Sequence, residues 1–129
     1  MLAVTGIFDT SAILAIFNAE PGSEHAMEFL EGAAISTVNL AEIVTKLLEW
    51  KFSEHKIIEY LVTLNIAIIA FDRDTALETG RMRGATRHLG LSLGDRACLA
   101  TAKSLVVPVL TTDRTWQRLD LGIDIRLIR

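Results

Sequence analysis

Apolar residues recur along this chain in two patterns: short continuous runs, and longer stretches with an apolar side chain every three or four positions. The first pattern is typical of buried strands and the second of helices packed on them. Runs over residues 2–8, 66–71 and 106–110 predict strands, and the run over 123–128, which alternates with charged residues, predicts an edge strand. The apolar run over 33–36 is too short to be assigned alone, but it stands where a second strand is expected.

The helices predicted between these strands each begin at or near a residue type that caps helices. The predicted starts are Asp9, Ser23, Ser36 with Thr37, Ser53, residues 72–75, and Asp95 after a loop over 90–94. Strands that alternate with helices predict a mainly parallel sheet covered on both faces, because parallel neighbours need crossover connections. We therefore expect one α/β domain over residues 1–129.

Composition and charge narrow the class of protein. With 129 residues, of which 50% are hydrophobic, the chain is long enough to bury a core without disulfides. A net charge of −3 argues against a general nucleic-acid coat protein, but it leaves room for a nuclease with a local basic patch. Cys98 lies in an apolar helical stretch and is predicted to be a buried thiol. The N-terminus lacks the features of a signal peptide and the apolar runs are too short to span a bilayer, so we expect a cytoplasmic protein.

Four acidic residues fall where a parallel sheet would form a site. Asp9 follows the first predicted strand, Asp113 follows the strand over 106–110, and Glu42 lies early in the helix after the second strand. Ligands of such sheets bind outside the carboxyl ends of the strands. Asp95 opens a helix after a loop, a position that is compatible with the same edge without requiring it.

Each of these acids also has an ordinary structural interpretation. Asp9 and Asp95 are residue types that cap helices, and Asp113 would start a turn or cap a short helix. Glu42 would be a solvated helix residue. Capping alone does not explain why acids stand at several strand ends, which favours a shared site.

A cluster of carboxylates predicts a hard divalent cation. The carboxylates repel one another, and without a cation some of them would take up protons. Mg²⁺ or Mn²⁺ prefers oxygen ligands and retains several waters, which suits two or three direct carboxylates with the rest acting through water. Such an ion polarises a phosphoryl oxygen and lowers the pKa of a bound water, which is the chemistry of phosphodiester hydrolysis.

Other side chains give weaker signals. His25, His55 and His88 have no shared spacing and no cysteine partners, so a zinc site is not expected. Neither a Gly-rich phosphate loop nor a serine nucleophile elbow is present in the sequence. The tryptophans and phenylalanines are predicted to be packing residues, with Trp50 and Phe52 the better candidates for exposure at a partner surface.

Basic side chains near the predicted site have two interpretations each. Arg81, Arg83 and Arg87 precede the Asp95 loop and form either a solvated helix face or a phosphate-binding patch for RNA. Lys46 lies one helical turn after Glu42, and it either pairs with that carboxylate or contacts substrate.

Four segments of the sequence resemble the PIN domain, and specifically the VapC ribonuclease toxins of prokaryotic toxin–antitoxin pairs. They are FDTSA over residues 8–12, NLAE over 39–42, LSLGDRACLA over 91–100 and TTD over 111–113. The segment around Asp95 is the most specific of the four, and the resemblance spans nearly the whole chain.

The resemblance implies a PIN-like three-layer sandwich and a Mg²⁺- or Mn²⁺-dependent endoribonuclease. It implies an active site of Asp9, Glu42, Asp95 and Asp113, with Asp9 and Asp95 as direct ligands, Asp113 included in the metal-binding set, and Glu42 and Asp113 orienting water. Thr112 would contribute a hydroxyl behind these acids. It also implies a homodimer that is inhibited by a VapB-type antitoxin, for which a helix laid on the toxin with a basic side chain among the acids is one hypothesis.

Two other functions compete with this interpretation. A phosphatase of the haloacid dehalogenase type also places an Asp after its first strand, but it needs a second acid two residues later, where this chain has Ser11. A non-catalytic PIN-like module would use the same acids only to dock a basic partner.

Overall fold

The computed structural model describes residues 3–129 and contains one five-stranded sheet. Every pair of neighbouring strands is parallel, and the strand order is β3-β2-β1-β4-β5. The strands are β1 (Gly6–Phe8), β2 (Ala33–Ser36), β3 (Ala67–Ile69), β4 (Val109–Thr111) and β5 (Ile125–Leu127). The chain adds β2 and β3 on one side of β1, and then returns to add β4 and β5 on the other. The point where the strand order reverses therefore lies between β1 and β4, where α/β sheets open a crevice for ligands.

Seven helices and two short 3₁₀ turns connect the strands in the described part of the chain. The helices are α1 (Thr10–Phe17), α2 (Ser23–Met27), α3 (Thr37–Glu49), α4 (Glu54–Leu64), α5 (Arg73–Arg81), α6 (Arg83–Thr86) and α7 (Leu93–Leu105), and the 3₁₀ turns are Arg87–Leu89 and Arg114–Arg118. The side chains of Asp9, Ser36 and Ser53 accept hydrogen bonds from the first backbone amides of α1, α3 and α4. These caps confirm three of the predicted helix starts.

Strand residues alternate between two hydrophobic clusters, one on each face of the sheet. Phe8, Ile35 and Leu110 face a cluster shared with α1, α3 and α4. Their neighbours on the strands, such as Ile7 and Val109, face a second cluster formed with α7 and other residues. The predicted three-layer α/β fold is therefore confirmed, with a sheet that is entirely parallel.

Several predicted boundaries were wrong. The first strand begins at Gly6, and Leu2, where it was predicted to begin, lies outside the described residues. The N-cap of α2 is Gly22, not Ser23 as predicted. The helix ends at Met27 and so does not reach Leu30. The strand predicted over 106–110 is observed as Val109–Thr111, because Val106 still caps the end of α7, and the strand predicted over 123–128 is Ile125–Leu127.

The strand predicted over 66–71 is shorter, and it lies at the edge of the sheet with exposed side chains. Since β3 has β2 as its neighbour on one side only, its apolar residues are not enclosed as those of β1 are. Within residues 3–129 no helix is both long enough and apolar enough to cross a membrane.

Candidate active site

Asp9 lies at the switch point of the sheet, directly after β1. Its Oδ1 accepts hydrogen bonds from the backbone N–H of Ala12 at 2.8 Å and from the Ser11 hydroxyl at 2.7 Å. Its Oδ2 accepts one from the Thr111 hydroxyl at 2.5 Å. The carboxylate is therefore both a helix cap and the centre of a hydrogen-bonded group that joins β1, α1 and β4.

Burial has a large effect on the Asp9 carboxyl, which is only 5% exposed. Desolvation raises its pKa to about 6 from the usual value of 3.8, against the opposing effect of its three hydrogen-bond donors. The charge of Asp95 raises the pKa further. A simple capping residue at a surface helix would have no reason to be buried in this way, so the site interpretation gains support.

The hydroxyls of Thr111 and Ser11 donate hydrogen bonds to the Asp9 carboxylate, whereas the sequence suggested Thr112 as a hydroxyl behind the acids. Register explains this, because Phe8 pairs with Leu110 and the next residues, Asp9 and Thr111, therefore lie side by side. Thr112 contributes its backbone N–H, which donates to the Ser11 hydroxyl at 3.0 Å. The hydroxyl that supports Asp9 across the sheet is that of Thr111, which the parallel register of β1 and β4 identifies. A role for the Thr112 hydroxyl stays a prediction.

Glu42 is half-buried on the second turn of α3, and one of its oxygens is tightly held. Oε1 accepts hydrogen bonds from the Thr10 hydroxyl at 2.7 Å and from the Asn39 side-chain amide at 2.9 Å. The carboxylate lies against Gly94 so closely that a Cβ at that position would collide with it. From the sequence, Asn39 and Gly94 were named only as parts of family motifs and were given no role, although the spacing of three residues between Asn39 and Glu42 places both on one helix face.

One interpretation of the sequence expected Asp95 to cap its helix, and this expectation was wrong. The cap is Ser92, and Asp95 is the third helical residue of a capping box, in which its Oδ2 accepts from the Ser92 backbone N–H at 2.9 Å. Desolvation raises the pKa of the half-buried Asp95 carboxyl, and the charges of Glu42 and Asp113 raise it further. Asp95 therefore lies within electrostatic range of other acids of the predicted site.

Asp113 is the exposed member of the set, two residues after the end of β4. It caps the 3₁₀ turn, and its Oδ1 accepts from the backbone N–H of Thr115 at 3.0 Å and from the Thr115 hydroxyl at 2.7 Å. The predicted capping role and the predicted position at a strand end are both observed.

The four acids share one edge of the sheet without forming a closed cage. Among residues 3–129, no three side chains of the types His, Cys, Asp and Glu come close enough together to hold one metal ion. The donor set nevertheless suits a hard dication, since it consists of carboxylate oxygens whose charges disfavour one another. A cation at this edge would favour the charged forms of Asp9 and Asp95 and so oppose the desolvation that raises their pKa values.

A model of the PIN domain family matches residues 7–121, which include all four acids. The chain belongs to the PIN domain family. This membership confirms the family predicted from the sequence and removes the haloacid dehalogenase alternative. No curated protein sequence matches the chain significantly.

Solved structures of the same fold cover almost the whole PIN domain. A toxin–antitoxin complex from Klebsiella pneumoniae has a chain that is 21% identical, with a TM-score of 0.74 and coverage of 97% of this chain and 98% of that one. DNA-bound VapBC from Salmonella typhimurium is similar at 21% identity, with a TM-score of 0.74 and full coverage of both chains. FitAcB from Neisseria gonorrhoeae is 19% identical, with a TM-score of 0.71 and coverage of 94% and 96%. At these identities the likeness shows the fold.

The predicted RNA-contacting cations of this PIN domain are all exposed. Lys46 pairs with Glu49, at 3.7 Å, and not with Glu42. Arg81 pairs with Glu78 at 3.0 Å, on the helix that packs beside α7. Arg83 and Arg87 have exposed side chains on α6 and the following 3₁₀ turn, and a role in phosphate binding stays a prediction for all four cations.

The remaining predictions about single side chains fit the PIN fold. Cys98 is fully buried, and the three histidines are exposed. Trp116 is a core residue at 1% exposure, whereas Trp50 and Phe52 are exposed at 42% and 38%. The histidines therefore stay outside the site, and the two exposed aromatic residues remain candidates for contact with a partner.

Proposed function

We propose that this chain is a metal-dependent endoribonuclease that hydrolyses RNA phosphodiester bonds and serves as the toxin of a VapBC-type pair. One observation carries the proposal: in a PIN domain, a buried Asp9 with a raised pKa lies at the switch point of the sheet, and three further acids converge on the same edge. Burial of a carboxylate is costly for folding, and perturbed pKa values of this kind cluster at functional sites.

Mg²⁺ or Mn²⁺ would be held at this edge by Asp9, Asp95 and Asp113, with water molecules between the ion and those carboxylates that do not reach it, since no three such side chains of the described residues lie close enough to bind one ion together. These residues supply oxygen ligands only, the kind that hard cations prefer. When bound, such an ion polarises a phosphoryl oxygen and lowers the pKa of a water molecule so that the water can attack phosphorus.

The protein's own contribution is to hold the carboxylates in place. Ser11, Thr111 and the Ala12 amide fix both oxygens of Asp9, which limits its rotation. Thr10 and Asn39 fix Oε1 of Glu42. Glu42 and Asp113 would then orient the attacking water by accepting hydrogen bonds from it, and a carboxylate in that position can receive the proton that the water loses.

The substrate would approach the acidic edge with its own negative charge. Lys46, Arg81, Arg83 and Arg87 are the cations proposed to bind RNA phosphates there, since acids alone would repel the backbone. If they do so, cleavage at subsaturating RNA falls steeply as salt is raised. We propose that the activity is cytoplasmic, as expected from the sequence.

A VapB-type antitoxin is the proposed partner, because the similar structures are described as toxin–antitoxin, VapBC and FitAcB complexes. An apolar groove of ≈ 470 Å³ runs between α3, α4 and β3, which we call the α3–α4 groove. Its lining includes Leu40, Val44, Ile58, Leu61, Val62 and Ile68. An apolar helix of an antitoxin would fit such a groove, and an Arg beyond that helix would neutralise the acids. We also expect a homodimer of the toxin, which sedimentation of the purified chain would test.

The decisive experiment is cleavage of structured RNAs by the purified chain with Mg²⁺, with Mn²⁺ and with EDTA. Asp9→Asn and Asp95→Asn are assayed beside the wild type. We expect cleavage that requires the metal and both carboxylates. Cleavage that survives chelation or either substitution would contradict the metal-nuclease mechanism, and failure to cut any RNA would favour a module that only docks a basic partner.

A further inference from the structure

Asn39 is a polar side chain buried within the core of the molecule beside the acidic edge. It lies on the first turn of α3 and is 1% exposed. Its amide nitrogen donates hydrogen bonds to the Thr10 hydroxyl at 3.2 Å, to Oε1 of Glu42 at 2.9 Å and to the Gly94 carbonyl at 3.3 Å. One NH₂ group therefore contacts three separate elements of the fold, α1, α3 and α7.

These three contacts have a common relation to the acids. Thr10 is the residue after Asp9, Gly94 is the residue before Asp95, and Glu42 is itself the third acid. The Asn39 amide thus ties together the backbone segments that carry Asp9 and Asp95 and the carboxylate of Glu42.

The other end of the Asn39 amide adds an independent observation. Its Oδ1 is buried and has no hydrogen-bond partner within the described residues. A buried acceptor without a partner destabilises the fold, so burial alone does not account for an asparagine here. The NH₂ group does, because it bonds to Thr10, Glu42 and the Gly94 carbonyl.

Gly94 lies where the N-terminal turn of α7 contacts the Glu42 carboxylate of α3. A Cβ on Gly94 would collide with the carboxylate of Glu42, so a larger residue here would displace that carboxylate from its bonds to Thr10 and Asn39. The Asn39 bond to the Gly94 carbonyl holds that contact in place. Glu42 and Asp95, whose charges already affect one another, are kept together as a result.

We propose that Asn39 is a positioning residue that holds Asp9, Glu42 and Asp95 in one arrangement through its bonds to Thr10, Glu42 and Gly94. The inference rests on the proposed function. Asn39 touches no substrate in this role; it removes the freedom of three acids to move apart under their own repulsion. Loss of its NH₂ group should therefore weaken metal binding and catalysis while the fold is retained.

The test uses Asn39→Leu, with Thr101→Val as the matched control. Thr101 is also buried and polar, and its hydroxyl bonds only to the Ala97 carbonyl within α7. Three quantities are measured for each protein: Mn²⁺ affinity by calorimetry without RNA, the single-turnover rate of RNA cleavage, and the free energy of unfolding in urea. A Glu42→Ala variant, with and without Asn39→Leu, completes a double-mutant cycle.

We expect Asn39→Leu to lower both Mn²⁺ affinity and cleavage rate by about tenfold to a hundredfold, the usual effect of losing a group that orients metal ligands. Its unfolding free energy should fall, because Glu42 and the Gly94 carbonyl lose a donor, but the variant should remain folded under the assay conditions. Thr101→Val should leave affinity and rate unchanged. In the Glu42→Ala background the loss caused by Asn39→Leu should be smaller, because one of the oriented acids is already gone.

Equal losses in both backgrounds, or a loss that follows the fall in stability, would overturn the positioning role. Unchanged Mn²⁺ affinity and rate in Asn39→Leu would overturn it as well. If the wild-type chain cuts no RNA, the proposed function fails, and the Mn²⁺ titration still decides whether Asn39 positions the acids.

Discussion

The acidic edge is the edge of the sheet that carries Asp9, Glu42, Asp95 and Asp113. It and the α3–α4 groove depart from ordinary folding rules in opposite ways. At the acidic edge, a charged group and several polar ones are buried, with Asp9 and Asn39 at 5% and 1% exposure. In the groove, apolar side chains face solvent, with Val62 and Ile58 at 71% and 53% exposure. Folding alone favours neither arrangement, since buried charge and contiguous exposed apolar surface both cost free energy or solubility.

Helix α3 belongs to both regions. The side chains of Asn39 and Glu42 lie on its face toward the acidic edge, whereas Leu40 and Val44 line the groove. One amphipathic helix would therefore serve both the proposed catalytic edge and the proposed partner surface. A partner that fills the groove would lie against the helix that carries Glu42. The following predictions separate the two regions.

Asp9→Asn should have the largest effect on activity. The substitution removes a proposed metal ligand, so we expect a loss of more than about a hundredfold, beyond what loss of an outer group causes. The groove should be unaffected, and the variant should still bind the antitoxin's apolar segment. Cleavage assays in excess Mn²⁺ measure the first effect. Activity within a few-fold of wild type would remove Asp9 from the site.

The same substitution should make the metal-free protein more stable at neutral pH. Because the pKa of Asp9 is raised from 3.8 to about 6, the folded state holds a proton that the unfolded state has lost between these values. The contribution of Asp9 to the free energy of unfolding therefore falls as pH rises through that window, by up to about 3 kcal/mol above pH 6. Wild type and Asp9→Asn should be similarly stable near pH 4, and the variant should be more stable at pH 7.5.

Urea unfolding across this pH range in EDTA gives the difference between the two proteins. Addition of Mn²⁺ should narrow that difference at pH 7.5 by stabilising only the wild type, and it should do so far less at pH 4.5, where Asp9 is protonated in the folded state. A difference that stays constant with pH would show that the burial of Asp9 has no electrostatic cost.

Gly94→Ala should damage the acidic edge even though glycine is a poor helix former. At an ordinary helical position, alanine in place of glycine stabilises by up to about 1 kcal/mol. At position 94 the new Cβ collides with the Glu42 carboxylate, so we expect lower stability and a loss of cleavage of about tenfold or more. Gly80→Ala is the control, because a Cβ there meets no atom within 4 Å. Equal gains in stability for both variants would contradict the packing of Glu42 on Gly94.

Val62→Asp should have the smallest effect on the enzyme and act only on the groove. Val62 is 71% exposed, so the fold and RNA cleavage should be unchanged, while antitoxin affinity should fall by about tenfold, or 1.4 kcal/mol. Val106→Asn is the control, since Val106 is 89% exposed on the other side of the molecule from β3 and has a positive φ that asparagine tolerates. Binding of a fluorescent antitoxin peptide distinguishes them, and equal affinities would remove the groove as its binding surface.

Local signals predicted the helices better than the strands. Ser36 and Ser53 cap α3 and α4 as expected, because capping depends on a side chain and a backbone amide two or three residues apart. The apolar run over 66–71 predicted a strand but gave no indication that β3 lies at an edge. Edge position depends on the strand order, which no local pattern contains.

The residues of the candidate site also divide into those that local patterns predicted and those that depend on contacts between distant segments. The four acidic positions came from strand ends and family motifs, and all four lie at one edge of the sheet, although their catalytic roles stay predictions. Thr111 was missed because it supports Asp9 across two strands that are 102 residues apart in sequence. Of the two interpretations of Lys46, pairing with Glu42 is not observed: Lys46 pairs with Glu49, while Glu42 bonds to Thr10 and Asn39.

The sequence by itself determined the α/β class, the family, the helix starts and which acids stand near strand ends, because periodicity, capping and motifs are properties of neighbouring residues. Only the tertiary structure decided that Asp9 is buried beside Thr111, that Asn39 bonds to three elements, and that Gly94 leaves room for Glu42. These facts depend on parallel register and on the close approach of α3 and α7, which arise from contacts between distant parts of the chain.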